Sequence, residues 1–584
     1  MLTCSEAKAW ETSFLNNEAA EWDAMQQAGT AIAQALLNDF KEIGGLPDSA
    51  RLLVLVGKGH NGGDALLAAK AILEKHPQAT AEVVFCFGET ALRPLARRSL
   101  DALRGTGLPT RVRVIHMGPE SHATSYDLCL DGIFGFQFHP PMDAATAELI
   151  ARVNTHPRIK LRAAVDLPSG LGETNAGTVF RADFTYATGI VKSPVITDSN
   201  AVFVGRLRYL DLGFFEVERV DPNALEVGRP DGKVGRVIPN APSSRDTIEH
   251  SPHVSVALGG ALPAPRCATS AQPTGGLEEA PDRILLSSIL QPLAQLRPAQ
   301  TDKRTYGHLF VLGGSRNYPG AVLMTVQAAL RSGVGLLTAF VPESLVPEYA
   351  ARFPEAMWVG LPQTASGGIS VAGVPLLLEK LPRATALVIG PGLGADPATL
   401  AAVQEVVRNT NIPSGATPLN VRNTNISLGT ELADVRNTNI PFLLDADALR
   451  PEVLAVAQGK PFVCTPHAGE FKRIAGEVSL RDFCRQSGAV VVQKGPHTRV
   501  SDGGAVYYSL FGGPVLARGG SGDLLAGLIG GLLAQGPDNL LLAAARGVVW
   551  HGLAADLLAR DKGQVAVQTT QLLEYLNPAL HEAL

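Results

Sequence analysis

The chain is 584 residues long, which at roughly 150 residues per domain points to two or three domains once large α/β units are allowed for. Hydrophobic residues make up 46% and charged residues 18%, enough apolar surface for a core and too little charge for wholesale disorder. A net charge of -5 and a pI near 6.2 lack the basic footprint of a nucleic-acid binder, so no polyanion partner is expected. The first ten residues, MLTCSEAKAW, have neither a basic n-region nor an apolar h-region, and the run Leu524 to Leu533 is short and broken by glycines. Neither a signal peptide nor a membrane span is expected. Six cysteines (Cys4, Cys86, Cys129, Cys267, Cys464, Cys484) stand far apart with no Cys-x-x-Cys pair. They read as buried thiols of a reducing cytoplasm.

In chain order, the first 220 residues alternate continuous apolar runs with helical patterns. Arg51 to Val56, Glu82 to Phe87, Tyr126 to Leu130 and Leu161 to Val165 read as strands covered on both faces, with a helix over Asp64 to Lys75 between the first two. The alternation predicts βαβ units in a doubly wound parallel sheet. A Pro-, Gly- and Ala-rich stretch, Pro230 to Ala299, reads as an interdomain connector, with the domains placed at 1–220 and 285–584 and the connector proper at 221–284. A second α/β rhythm begins at His308: Leu309 to Leu312, Leu336 to Val341, Ala386 to Ile389, Phe442 to Leu444 and Ala489 to Val492 are its buried-strand candidates. The hexapeptide Val-Arg-Asn-Thr-Asn-Ile recurs from Val407, Val421 and Val435, fourteen residues apart. Copies this short and polar do not make a solenoid and read as a duplicated surface loop inserted at about 407–440.

Three strand ends in the first half carry chemistry. Gly57 to Asp64 (GKGHNGGD) joins a strand to a helix, where glycines allow a tight turn and amides at a helix N-terminus favour an anion. It matches neither G-x-G-x-x-G nor a P-loop. Asp131 in DGIFGFQFHPP and Asp166 in DLPSG end two further strands, and strand ends in a parallel sheet converge on the ligand crevice. Taken singly each aspartate reads as a helix cap; together with Ser169 their oxygens suit a hard cation.

These landmarks resemble the NAD(P)H-hydrate epimerase family over about Met1 to Val220. The resemblance implies a Rossmann-like domain that interconverts the R and S forms of hydrated NADH and NADPH and binds K+. It places the potassium ligands on Asn61, Asp131 and Ser169. Substrate contacts fall on His60, Asn61, Gly62, Gly63 and Asp64 and on Gly135, Phe136, Gln137, Phe138, His139, Pro140 and Pro141, and Asp166 is the expected catalytic carboxylate. His60 stands where the family has Asn, and Ala65 where it has Gly.

In the second half, Gly519 to Asp523 (GGSGD) opens a helix pattern over Leu524 to Ala534. Glycines leave room for an anion over a helix N-terminus, and an aspartate in the first turn can accept a hydroxyl proton, the pairing phosphoryl transfer needs. The plainer reading is a glycine-rich packing turn with a capping Asp. Lys494 ends a strand candidate, and GPGLG (390–394), DADAL (445–449) and TPHAGE (465–470) each follow one, so all should reach the same pocket. With GGSRNYPGA (313–321) they resemble the ribokinase superfamily, most closely its ADP/ATP-dependent NAD(P)H-hydrate dehydratases, over about Leu285 to Leu584. The resemblance implies that Ala321, Gly394, His467 and the catalytic Asp523 contact the hydrated dinucleotide. Lys494 and Gly495, with the cradle Gly519, Gly520, Ser521 and Gly522, would hold ADP (or ATP) with Mg2+. Arg518 and Ser521 replace residues that are commonly Thr, and Arg518 puts a charge beside the cradle.

Together the halves imply a cytoplasmic, homo-oligomeric repair enzyme that epimerises hydrated NAD(P)H and dehydrates the S form at the expense of ADP. The alternative is a vitamin-precursor kinase fused to a non-catalytic dinucleotide-binding module.

Overall fold

The computed structural model describes residues 1–15, 17–105, 110–115, 124–173, 177–213, 281–410 and 440–584. The repeats beyond residue 410 and most of the connector lie outside the described residues. Seven strands form the first sheet: β1 (Arg51–Val56), β2 (Thr80–Phe85), β3 (Val112–Val114), β4 (Tyr126–Gly132), β5 (Ile159–Val165), β6 (Phe184–Thr188) and β7 (Arg206–Leu210). Their order is β3-β2-β1-β4-β5-β6-β7 with every pairing parallel. Unbroken apolar runs make such strands because helices cover both faces; in β1 only Arg51 is exposed. Strand order reverses between β1 and β4, so the loops that follow them part and open a crevice.

Ten strands form the second sheet: β8 (Arg283–Ile284), β9 (His308–Leu312), β10 (Leu336–Pro342), β11 (Met357–Leu361), β12 (Ala386–Ile389), β13 (Phe442–Leu444), β14 (Phe462–Cys464), β15 (Val490–Gln493), β16 (Thr498–Ser501) and β17 (Val506–Ser509). The order is β11-β10-β9-β12-β13-β14-β15-β16-β17-β8. It is parallel from β11 through β15, turns antiparallel at β16 and β17, and closes with β8 parallel to β17. Its reversal falls between β9 and β12. Both halves are therefore doubly wound α/β structures, as the alternating pattern predicts.

Two local readings are corrected, and one strand had no reading. The first helix of the Gly-rich turn starts at His60, four residues before the predicted Asp64, so Asn61, Gly62 and Gly63 are helical. Propensity places glycines in turns, whereas here tertiary packing overrides it. The compositional connector runs too far: Arg283 and Ile284 pair with β17 and Leu290 is fully buried, because single well-placed apolar residues dock this Pro-rich segment. The strand β7, RLRYL, has too polar a pattern to read as buried, yet Arg208 is only 9% exposed.

The reason for buried arginine lies in the second half. Helix Leu540–Lys562 is long and apolar enough to cross a membrane, but 72% of its apolar window is buried inside the protein, where it serves as a core helix. Its Asp556 pairs with Arg206 at 2.6 Å and Arg208 at 2.9 Å. Arg206 also meets Glu42 at 2.5 Å, Arg208 meets Asp39 at 2.9 Å, and Arg560 reaches Asp39 at 3.4 Å. Three guanidiniums thus balance three carboxylates between the two sheets. An apolar cluster of Leu171, Val191 and Leu207 with Leu510 and Ile284 also joins them. The two sheets belong to one compact unit.

Candidate functional site

The first crevice is a cavity of about 500 Å³. Gly57 is required at its rim because an added Cβ would lie 1.8 Å from the Ile133 carbonyl oxygen. Gly62 is constrained in the same way, with a Cβ meeting Gly57 O at 2.4 Å, whereas a Cβ on Gly63 would meet the movable end of Met25 at 2.2 Å. Gly132 and Gly135 let the end of β4 and the loop after it approach helix His60–Lys75, since a Cβ on them would meet Asn61 O at 2.6 Å and Asn61 Oδ1 at 2.8 Å. Of the residues predicted here, His60, Asn61, Asp64, Gly135, Phe136, Gln137, Phe138, His139, Pro141 and Asp166 line the cavity; Gly62, Gly63 and Pro140 do not. His60 is at the mouth, half-exposed, with Nε2 3.5 Å from Glu21.

Asn61, Asp131 and Ser169 come together behind the wall. Asp131 is fully buried and accepts hydrogen bonds from Ser169 N at 2.7 Å and Ser169 Oγ at 2.6 Å, while Ser169 Oγ accepts from Phe134 N at 2.9 Å. Asn61 Nδ2 donates to the carbonyls of Phe134 and Val165 at 2.8 and 2.9 Å. Burial pushes Asp131 up to about 6 despite these bonds. Among the described residues no cluster of three His, Cys, Asp or Glu side chains is placed to hold a metal. The group offers one carboxylate, a hydroxyl and the Phe134 and Val165 carbonyls that Asn61 Nδ2 meets, a hard, weakly charged donor set that fits a monovalent cation better than a transition metal.

Asp166 and Lys192 form the floor. Asp166 has φ 65°, a left-handed conformation costly for a residue with a side chain, and its Oδ1 accepts from Lys192 Nζ at 2.5 Å. Both side chains are buried. Burial raises Asp166 and the Lys192 charge opposes the rise. Asp64 is buried with Oδ1 unpartnered, which holds its carboxyl well above the usual range.

The second site lies at the carboxyl ends of β9, β12, β13, β14 and β15. Gly313 and Gly390 permit the approach, since a Cβ on them would meet Pro391 O at 2.5 Å and Asp445 O at 1.8 Å. Helix Ser521–Gln535 begins after Gly520 at φ 89°, and Asp523 lies in its first turn. Burial pushes Asp523 up to about 7, with Asp445 adding to the rise and Lys494 opposing it. Lys494 Nζ lies 3.1 Å from Asp445 Oδ1 and 4.0 Å from Glu470, and a Cβ on Gly522 would sit 3.2 Å from it. Burial works against the Lys494 charge, but Asp445, Glu470 and Asp523 outweigh it and raise the lysine above its ordinary value. Thr465 Oγ1 donates to Asp445 at 2.6 Å, and Gly394 N donates to Asp447 at 2.9 Å. Ala321 packs against Gly392. His467 is exposed and caps helix Ala468–Ala475, its Nδ1 accepting from Gly469 N and Glu470 N.

Arg518 is turned away from the cradle. Its guanidinium donates to the carbonyls of Gln564, Val565 and Val567 at 2.5, 2.8 and 3.1 Å, so its charge ties down the segment after helix Leu540–Lys562. Sequence reasoning missed Lys192, Glu11 and Arg93 on the first cavity; at the second, Asp447 and Glu470 fall within the DADAL and TPHAGE turns it assigned to the pocket, without being singled out. The signal for Lys192 was a single lysine after the apolar GIV at a strand end, hidden because β6 itself went unread.

Two switch-point crevices, one floored by an Asp–Lys pair and one joining a glycine cradle, a lysine and an aspartate poised near neutrality, define a two-centre α/β enzyme. A family model described as YjeF-related protein N-terminus matches residues 22–193, and one described as NAD(P)H-hydrate dehydratase matches 309–413 and 423–578. The bifunctional NAD(P)H-hydrate repair enzyme Nnr of Gloeobacter violaceus is 33% identical over 579 residues, 95% of this chain and 93% of that protein. The ADP-dependent (S)-NAD(P)H-hydrate dehydratase of Xanthomonas campestris is 34% identical over 275 residues, 45% of this chain and 84% of that protein. Among solved structures, the ADP/ATP-dependent NAD(P)H-hydrate dehydratase of Bacillus subtilis, co-crystallised with ATP/Mg2+, is 24% identical with a TM-score of 0.41, covering 52% of this chain and 99% of that one. The chain belongs to the family of bifunctional NAD(P)H-hydrate repair enzymes.

Proposed function

We propose that residues 1–220 epimerise the hydrates of NADH and NADPH and that residues 285–584 dehydrate the S form in the cytoplasm with ADP as phosphoryl donor. One observation carries the second half of this reading. Asp523 stands in the first turn of a helix opened by Gly519 to Gly522, close to Lys494 yet, among the described residues, in no ion pair of its own. A carboxylate titrating near 7 suits a general base at neutral pH.

In this mechanism Asp523 takes the proton of the hydrate's C6 hydroxyl, and the oxygen attacks the terminal phosphorus of ADP as the bond from that phosphorus to the bridging oxygen breaks and AMP leaves. Lys494 and the amides of Gly519 to Gly522 hold the phosphate oxygens as charge builds, and Gly495 flanks them. Mg2+ bound to the nucleotide would neutralise phosphate charge. Expulsion of phosphate from C6 and loss of a C5 proton restore the dihydropyridine ring. Ala321, Gly394 and His467 border the dinucleotide.

In the first half, His60, Asn61 and Asp64 with Gly135 to His139 and Pro141 surround the nicotinamide end of the substrate, with Asp166 beneath it. Asn61, Asp131 and Ser169 hold K+, which would tie the loops after β1, β4 and β5 together. A half-turn of the Asn61 amide exchanges Nδ2 for Oδ1 and supplies the missing oxygen.

Incubating the full chain with R-hydrate, with and without ADP, tests both halves. The reading expects S-hydrate without ADP and NAD(P)H with it. Accumulation of a stable phosphorylated product would instead favour a small-molecule kinase, and no S-hydrate from R would make the first half a binding module.

A further inference from the structure

We propose that Lys192 is the acid partner of Asp166 in the first cavity, the two handing protons to and from the hydrate's ring nitrogen and C6 oxygen. The inference rests on the epimerase reading and adds a residue to it. Lys192 follows β6 as Asp166 follows β5, so neighbouring parallel strands deliver the two groups to one place. The lysine side chain is 1% exposed yet lies on the cavity wall, with Nζ 2.5 Å from Asp166 and 4.9 Å from the Phe136 ring centroid. Desolvating a lysine and an aspartate together, with the aspartate held at φ 65°, costs more stability than a packed apolar pair would. Such a pair is a poor structural device and a suitable proton relay.

The remaining charged groups leave Lys192 as the cation of this floor. Glu11, from helix Cys4–Phe14, is 3.9 Å from its Nζ. Asp64 approaches from helix His60–Lys75 with an unpartnered buried oxygen, and Cys4 lies near enough for its thiol to feel the Asp166 and Lys192 charges. Lys58 and Arg93 are further cations on the cavity wall, Arg93 near enough to His60 for its charge to be felt there, and Lys192 is the one in contact with Asp166.

The reaction supplies the need. C6 of the hydrate carries both a hydroxyl and the ring nitrogen N1, so its configuration is inverted by opening and closing the C6–N1 bond. Asp166 removes the hydroxyl proton, the O–H electron pair becomes the C6=O double bond, and the C6–N1 pair stays on N1. N1 takes a proton from Lys192. The freed aldehyde turns about C5–C6 and presents its other face. On closure Lys192 recovers the proton from N1 and Asp166 returns its own to oxygen. Nothing is consumed, and the pair ends as it began.

The test uses the full chain, with R-to-S conversion and ADP-dependent dehydration of S-hydrate measured on each variant. Lys192→Ala should lower kcat for conversion by roughly 100-fold or more, with KM little changed and dehydration at the wild-type rate, which shows that the chain is folded. Methylamine or ethylamine should restore conversion in proportion to concentration. Lys192→Arg keeps the charge beside Asp166 but does not release a proton, so it should stay slow. Conversion by Lys192→Arg near the wild-type rate, or failure of both amines to restore Lys192→Ala, would reduce the lysine to a counter-ion and overturn the proposal. Wild-type chain that does not convert R-hydrate would instead overturn the epimerase reading.

Discussion

The two crevices obey one topological rule and differ in how each lysine is partnered. In the first, Lys192 is bound directly to Asp166 at 2.5 Å inside a closed floor. In the second, Lys494 is bound to Asp445 at 3.1 Å, and Asp523 is in no ion pair among the described residues. The difference matches the chemistry each centre would perform. Inverting a carbon needs an acid and a base that exchange protons and return to their starting state. Phosphoryl transfer needs a cation for the incoming phosphate, here a lysine held by a carboxylate other than the base, and a base that is not itself bound to that ammonium.

The comparison breaks most sharply at Asp523. Asp523→Asn keeps the side-chain size but removes the proton acceptor, so dehydration of S-hydrate should fall by about 10²- to 10⁴-fold while R-to-S conversion keeps its rate. Assaying both on one preparation decides whether the centres are chemically separate.

The next largest effect concerns what they share. Asp556→Ala strips a carboxylate from Arg206 and Arg208 in the buried junction, and breaking such a pair typically costs about 3–5 kcal/mol. Denaturant unfolding should show that loss, and a change under about 1 kcal/mol would mean that the ion cluster does not hold the halves together.

A pH profile sharpens the contrast. Asp523 acts as base only when ionised, and it titrates near 7, so dehydration should decline about tenfold per pH unit below neutrality. Asp445 raises that value by its negative charge, so Asp445→Asn should move the falling limb toward acid; a limb that stays put would separate it from Asp523. Exchanging potassium for tetramethylammonium at constant ionic strength should slow R-to-S conversion and spare dehydration, with equal rates in the two salts removing the cation from Asn61, Asp131 and Ser169.

The smallest effect is predicted at Arg518. Arg518→Thr removes three hydrogen bonds to the carbonyls of Gln564, Val565 and Val567 and should lower stability by about 1–3 kcal/mol. The KM for ADP should stay within about twofold, because the guanidinium faces away from the cradle. A large rise in KM would put the arginine back on the nucleotide.

The sequence by itself determined the α/β class, the parallel core of each sheet and most turns that bear chemistry. Continuous apolar runs such as Arg51–Val56 and Ala386–Ile389 leave no other economical way to bury them, and glycines such as Gly57 and Gly390 mark places where backbone meets backbone. Local pattern also put Asp131, Asp166 and Asp523 at strand or helix ends. What only the tertiary structure decided is who partners whom. Arg518 looked like a charge at the cradle and is instead a clamp on residues 564–567, because direction is set by packing far away in sequence. Lys192 gave almost no local signal, since a buried lysine is intelligible only beside the Asp166 that neutralises it. RLRYL was not singled out as a strand, its alternating arginines answering to Asp556, some 350 residues later. Periodicity reports which face a residue buries, and it carries no record of the opposite charge that waits there.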